Sequence, residues 1–291
     1  MHALIQGLIL GVLTGGVYAL MASGQTLIFG IMKVVNLAQG AMVILSAYLA
    51  YQMFTSWGVD PFLAIPVVAA VMFAVGVAVE LAFLRPLRRD DRAELSLLVT
   101  FAVALLIEGV MSVTWNTTER TIDTSYANAS WTVLGYQVTV VRFWAFVLSL
   151  AVLGLLWLLL RRTRFGRAVR ATVQNPESAE LLGVETRRIR ALGFGIGAAT
   201  TAAAGAVYGL LYPFNSGSHY DLISRLLSIV VLGGMGSVGG AVIAALVVST
   251  STAVVATVSP IWSEMTFFVI LILVLLVRPR GLFGAVGRGA V

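Results

Sequence analysis

The sequence predicts an all-α polytopic membrane protein of about 7–8 transmembrane helices, with one Gly-broken segment that is either re-entrant or a pair of short helices. Three observations carry this reading. Of the 291 residues, 59% are hydrophobic and only 11% are charged, and mean hydropathy is +0.96. A soluble domain is usually about 25% charged, so these charges are too few to cover a globule in water. The apolar residues also fall into runs near the ~20 residues that a helix needs to cross a bilayer. Finally, the charges gather in the connections between runs.

The first run, Leu4 to Phe29, has neither a basic leader nor a small-x-small cleavage site, and reads as a retained helix. Runs follow at 36–54, 61–84, 95–115, 142–160 and 190–212, then a long one at 226–258 and a last at 260–277. Asp60-Pro61 opens the third run with a capping carboxylate and a proline at N1, and Ser259-Pro260 opens the last similarly. The connection 85–92, the loop 161–190 and the tail residues Arg278, Arg280 and Arg288 hold most of the arginines. By the positive-inside rule these face the cytoplasm, which leaves Arg120, Arg142 and Arg225 outside. Trp57, Trp115, Trp131, Trp144 and Trp262 then form an outer aromatic belt. The outer loop 116–141 is polar, and its 131–140 stretch reads as a hairpin. The run 190–212 must end outside and the tail must lie inside. A single crossing by 226–258 would put the tail outside, so this run should break, and Gly233–Gly240 is the obvious place.

Several chemistries are excluded. There is no cysteine, and the two histidines are His2 and His219, so neither disulfides nor His/Cys metal sites arise. Gly234–Gly239 matches G-x-G-x-x-G, yet no acidic residue follows at the spacing a dinucleotide site needs. No phosphate-binding lysine loop, H-E-x-x-H or G-x-S-x-G is present. The basic residues sit in short connections rather than in a nucleic-acid-binding patch. A non-catalytic role with no cofactor follows.

Two polar regions are candidates for a solute pathway. Asn36, Gln39 and Gly40 open the second run, where the amides serve a pathway, a cap or a helix–helix hydrogen bond. Gly233, Gly234, Gly236 and Ser237 form the break, whose non-helical backbone needs protein or water around it. Glu108 lies about 21 Å beyond Glu94 and is either functional or a buried hydrogen-bonding group. The small-xxx-small pairs Gly7/Gly11/Gly15, Gly193/Gly197, Gly205/Gly209 and Gly236/Gly240 fit packing within one bundle or between subunits. In the 161–190 loop, Asn175 caps, Pro176 sits at N1, Glu177 and Glu180 favour the positive end, and Gly183 stops a short helix. Leu181, Leu182 and Val184 would be exposed in water, so this helix either docks on a protein or lies on the membrane surface.

At these residues the sequence resembles the permease subunits of branched-chain amino-acid ABC importers. The resemblance lies in Asn36–Ala41 with Ala47-Tyr48-Leu49, Arg85-Pro-Leu-Arg88, Gly166–Ala171 including Arg170, Asn175–Gly183 and Gly205. It continues in Val231–Ala241 and Leu273–Leu282, and so covers nearly the whole chain. It implies one permease domain over 1–291, in a bacterial inner membrane with a cytoplasmic C-terminus. The implied partners are a second permease subunit, forming a heterodimer, and two cytoplasmic ATPase subunits that use the ATP. They dock on the loop at Arg170 and 175–183, and a periplasmic solute-binding protein docks outside. Branched-chain amino acids are the first expected solute. Related permeases carry urea, short amides or other amino acids, and an ion-coupled secondary transporter is the remaining alternative. The family often has His where Gln39 stands and Glu where Ala41 stands; Gln39 hydrogen-bonds but does not titrate near neutral pH.

Overall fold

The computed structural model describes residues 2–87, 92–127, 129–133, 135–279 and 281–283. Arg88, Arg280 and Arg288 of the basic connections lie outside these residues. The elements are α1 (His2–Met32), α2 (Gln39–Trp57), α3 (Pro61–Val79) with a π turn at Glu80–Leu84, and α4 (Arg92–Trp115). A hairpin of β1 (Ser130–Val133) and β2 (Tyr136–Thr139) leads into α5 (Val140–Arg162), α6 (Arg164–Gln174) and α7 (Pro176–Leu181). Then come α8 (Thr186–Leu211), a 3-10 turn (Ser216–Ser218), α9 (His219–Gly233), α10 (Val238–Val258) and α11 (Pro260–Val277).

Among the described residues seven helices are long and apolar enough to cross a membrane: α1, α3 with its π turn, α4, α5, α8, α10 and α11. The chain is a multi-pass α-helical membrane protein. α2 has the length of a span, about 28 Å. It starts three residues later than the apolar run suggested, because residues 33–38 are not helical. The long run 226–258 is broken, as the crossing count required. α9 ends at Gly233 and α10 starts at Val238. α9 also begins seven residues earlier than the apolar run, at His219. Its first turns carry Asp221, Ser224 and Arg225 on an edge that periodicity of apolar residues does not register.

Local chemistry explains the ends. Asp60 Oδ1 accepts from the Phe62 amide at 2.9 Å, with Pro61 at N1. Asn215 and Ser218 form a reciprocal capping box that turns the chain from α8 into α9. The hairpin pairs Ser130 with Thr139 and Val133 with Tyr136, and Gln6 of α1 donates to the Gln137 carbonyl. This ties the start of α1 to the same end of the bundle as the 116–139 loop.

α8 is the most buried span and α11 the least. Without water to drive association, helices in lipid hold together by close packing of small residues. α1 packs on α10 through Gly7, Gly11 and Gly15. A methyl on Gly11 would stand 2.5 Å from the Thr250 Cα. Gly193 and Gly197 meet Ile31 and Ile28 of α1, and Gly205 meets Ser46 and the Ala47 amide of α2. These pairs therefore pack helices of one chain, which settles the choice between bundle and subunit contacts for them.

Candidate functional site

The amides that open α2 are fully buried and bond to each other. Asn36 Nδ2 donates to Gln39 Oε1 at 3.2 Å, and Asn36 Oδ1 accepts from the Ala38 amide at 3.1 Å. Asn36 thus closes a side-chain turn just ahead of α2, whose N-cap residue, Ala38, has no side-chain cap. Gln39 Nε2 is left buried without a hydrogen-bond partner and faces α1 and α8 close to Gly24. Gly40 has no room for a methyl, because the His219 carbonyl would be 2.6 Å away. The start of α2 therefore meets the start of α9.

The start of α9 also meets α4. Tyr220 Oη donates to Glu108 Oε2 at 2.9 Å, and His219 Nε2 stands 3.8 Å from the same oxygen. One turn further along α4, Ser112 donates to Ser216 Oγ at 3.0 Å. Gly40 and Glu108 thus meet at one end of α9, while Asn36 and Gln39 lie in the turn just before Gly40, where the Leu37 amide donates to Thr100 Oγ1 of α4. On the far side of that end, Arg225 bonds Glu264 of α11 at 2.8 Å and Asp221 at 3.2 Å.

Gly233, Gly234, Gly236 and Ser237 lie at the other end of α9, about 21 Å away along the axis. They do not join the first group. Ser237 caps α10 by accepting from the Gly240 amide. The backbones meet at Gly233 and Gly240, not at Gly236. A methyl on Gly233 would be 2.5 Å from the Gly240 carbonyl carbon, whereas one on Gly236 meets nothing closer than 3.7 Å. Gly236 is instead fixed by its φ of +89°, and Gly234 by +93°. The chain beyond α11 folds back here. Leu282 N donates to the Leu232 carbonyl at 2.8 Å and Phe283 N to the Gly233 carbonyl at 3.3 Å, closing carbonyls that the end of a helix leaves open. An adjoining groove of about 720 Å³ runs from Gly236 and Gly239 along Gly30 and Trp157 to Val169 and Arg170 of α6.

The 161–190 loop is two short helices. Thr163 caps α6, and Gly166 lies so close to Leu160 that a side chain cannot fit. Arg170 Nη1 donates to the Leu160 carbonyl at 2.5 Å, so its guanidinium closes the α5–α6 joint. Asn175 Oδ1 accepts from the amides of Glu177 and Ser178, both at 3.0 Å, with Pro176 at N1 of α7. Glu180 accepts from Thr186 Oγ1, which anchors α7 to the start of α8. Gly183 ends the turn at φ +82°. Leu181 is 89% exposed and Leu182 83%. Val184 differs from the expectation: its amide bonds the Ala179 carbonyl, and its side chain turns inward against the core.

Sequence reasoning missed the partners of Glu108. His219 and Tyr220 sit beyond the apolar runs, and nothing in their spacing links them to α4. It also missed Gln25 on α1, buried with both amide atoms unpartnered; a lone glutamine inside an apolar run was the available signal. Among the described residues no group of three His, Cys, Asp or Glu is placed to hold a metal.

Comparison with known proteins gives the family. The branched-chain amino acid transport permease protein BraD of Pseudomonas aeruginosa is 29% identical over 294 residues, covering 96% of this chain and 95% of its own. LivH of Escherichia coli K12, a permease of the same description, is also 29% identical, with the same coverage. A probable LivH of Methanocaldococcus jannaschii is 25% identical over 91% of this chain and 88% of its own. No solved structure matches. The model of the family described as the permease component of the branched-chain amino acid transport system matches residues 7–276, and the chain belongs to that family.

Proposed function

We propose that the chain is one membrane subunit of an ATP-driven importer and forms part of the route for a small solute, with branched-chain amino acids the first candidates. The observation that carries this is the capped α7, held to α8 and presenting Leu181 and Leu182 to the outside of the chain. It lies at the end of the bundle that gathers most of the arginines. Two bare leucines on a fixed helix suit a protein partner, since full burial of each is worth roughly 1.5–3 kcal/mol. Two ATPase subunits dock there, and ATP acts on them; this chain needs no cofactor. A second permease subunit pairs with it as a heterodimer. That end faces the cytoplasm of a bacterial inner membrane, the C-terminus with it, and a solute-binding protein delivers the solute at the opposite end. Asn36, Gln39, Gly40 and Glu108 act near the outer side of α9, and Gly233–Ser237 near the inner side.

The test is uptake of labelled leucine by proteoliposomes holding the complete complex and its binding protein. Uptake that needs internal ATP and survives a protonophore and a sodium ionophore supports the proposal. Uptake that collapses with the ion gradients makes the chain a secondary transporter instead.

A further inference from the structure

Glu108 lies sixteen residues into α4, about 24 Å along it. A carboxylate at such depth is costly unless it is paired. Among the described residues no arginine or lysine pairs with it. Arg225, the nearest cation along α9, is committed to Asp221 and Glu264. Glu108 receives one hydrogen bond, from Tyr220, although an ionised carboxylate has about four sites for donors.

His219 does not fill the gap. Its side chain is 2% exposed, and its Nδ1 lies 2.8 Å from the Ser216 carbonyl oxygen. A carbonyl only accepts, so Nδ1 carries the hydrogen, and the Nε2 of the neutral ring presents a lone pair. Nε2 has no hydrogen-bond partner, and at 3.8 Å from Glu108 Oε2 it is out of bonding range. With the ring neutral, two acceptors face each other there. The Tyr220 and His219 rings lie against each other, with centroids 4.0 Å apart. The Glu108 side chain is 25% exposed, so the carboxylate is open on one side.

We propose that Glu108 is the contact for the α-ammonium group of the solute in transit. This rests on reading the chain as an amino-acid permease. An ammonium brings three N–H donors and a positive charge, which are what Glu108 lacks. Its three donors match the roughly three sites left on Oε1 and Oε2 once Tyr220 has taken one.

The experiment compares Glu108→Gln with Tyr220→Phe in reconstituted complexes that retain their ATPase subunits, reading leucine uptake. Glutamine keeps the length of the side chain and the bond from Tyr220 but loses the charge. Phenylalanine removes that bond and leaves the charge. E108Q should lower uptake at least tenfold, and Y220F less than threefold. Uptake by E108Q equal to the unaltered complex overturns the proposal, and so does a loss in Y220F as large as in E108Q, which makes the bond the important feature. The unaltered complex gives an independent reading. Modification of Glu108 by a hydrophobic carbodiimide, followed by peptide mass spectrometry, should slow at least threefold during turnover with leucine-loaded binding protein. An unchanged rate overturns the contact. If the unaltered complex takes up no amino acid, the amino-acid reading and this contact fall together. If it takes up leucine and E108Q matches it, the contact alone falls.

Discussion

Three glycines of one stretch should respond to alanine in three different ways. At Gly233 the new methyl would stand 2.5 Å from the Gly240 carbonyl carbon and 2.6 Å from the Ala241 amide nitrogen. Ordinary contact begins near 3.4 Å, so α9 and α10 must separate by close to an ångström where they join. Both obstacles are backbone, and no flexible side chain can yield. Forced overpacking of this kind costs about 1–3 kcal/mol, occasionally more. Separating the helices also strains the bonds from 282 and 283 to the Leu232 and Gly233 carbonyls. At Gly236 no clash arises, but the φ of +89° remains, a left-handed geometry that costs an L residue roughly 1–2 kcal/mol. At Gly239 there is open space and no positive φ, so alanine should be neutral or slightly stabilising, by less than about 1 kcal/mol. Thermal unfolding of the purified protein in detergent, with leucine uptake in parallel, gives the assay. The expected order of apparent melting temperature is Gly239→Ala highest, Gly236→Ala lower and Gly233→Ala lowest, with uptake falling in the same order. A Gly233→Ala protein that melts within a degree of Gly239→Ala would refute the claim that backbone contact at this joint limits the structure.

Leu182→Asp should leave the protein inserted and as stable as before, because the side chain is 83% exposed and touches little within the chain. ATPase subunits should be lost on purification, or transport should fall while basal hydrolysis continues; retention of both returns α7 to a helix lying on lipid. A cysteine at position 283 should react with a membrane-impermeant thiol reagent only in inside-out vesicles, and labelling from outside intact cells would reverse the orientation. In the 116–139 loop, Tyr126 donates to Asp60 Oδ2 at 2.5 Å. Burial first, and then the Asp60 carboxylate, hold its hydroxyl above the usual tyrosine range. Since the folded value is raised, this contribution is complete below the unfolded value near ~10 and fades as pH rises from there. Proteolysis of the loop should accelerate above that pH, and Tyr126→Phe should flatten the dependence.

The spans were legible because a bilayer imposes one length and one polarity on them. The cap of α3 and that of α7 were legible because Asp60-Pro61 and Asn175-Pro176 are local signals, each satisfied within three residues. The break at 234–237 needed only a count of crossings and a cluster of glycines. What the sequence hid is long-range. Gly233 and Gly236 look alike in a row of glycines, and only the fold shows that one meets Gly240 while the other is held by its φ. Arg170 reads as part of the docking loop, and only the fold shows its guanidinium on the Leu160 carbonyl, where α6 turns back from α5. His219 lies 111 residues from Glu108, and no periodicity links them. α9 itself was half hidden, because its first turns are polar.

That polar start gives α9 a particular place between the two ends of the bundle. Its first residues hold Glu108 through Tyr220, back onto Gly40 of α2, and reach Glu264 of α11 through Arg225. Its last residues press against Gly240 and receive the chain at 282 and 283. Between them are about four helical turns with Leu222, Leu226, Ile229 and Val230 buried in the core. A helix so fixed at both ends moves as a unit or not at all, because a packed core has discrete arrangements rather than a continuous range. The groove from Gly236 to α6 places the lower end of α9 beside the joint that Arg170 closes, and α6 leads directly into α7. A shift of α7 by a partner therefore reaches α9 through α6 and then α1, which contacts both α6 and α9. Spatial continuity alone does not establish coupling. The decisive comparison is the double-mutant cycle of Leu182→Asp with Glu108→Gln. If α9 carries the movement, the two losses of uptake should fall short of multiplying, and if the ends act independently they should multiply.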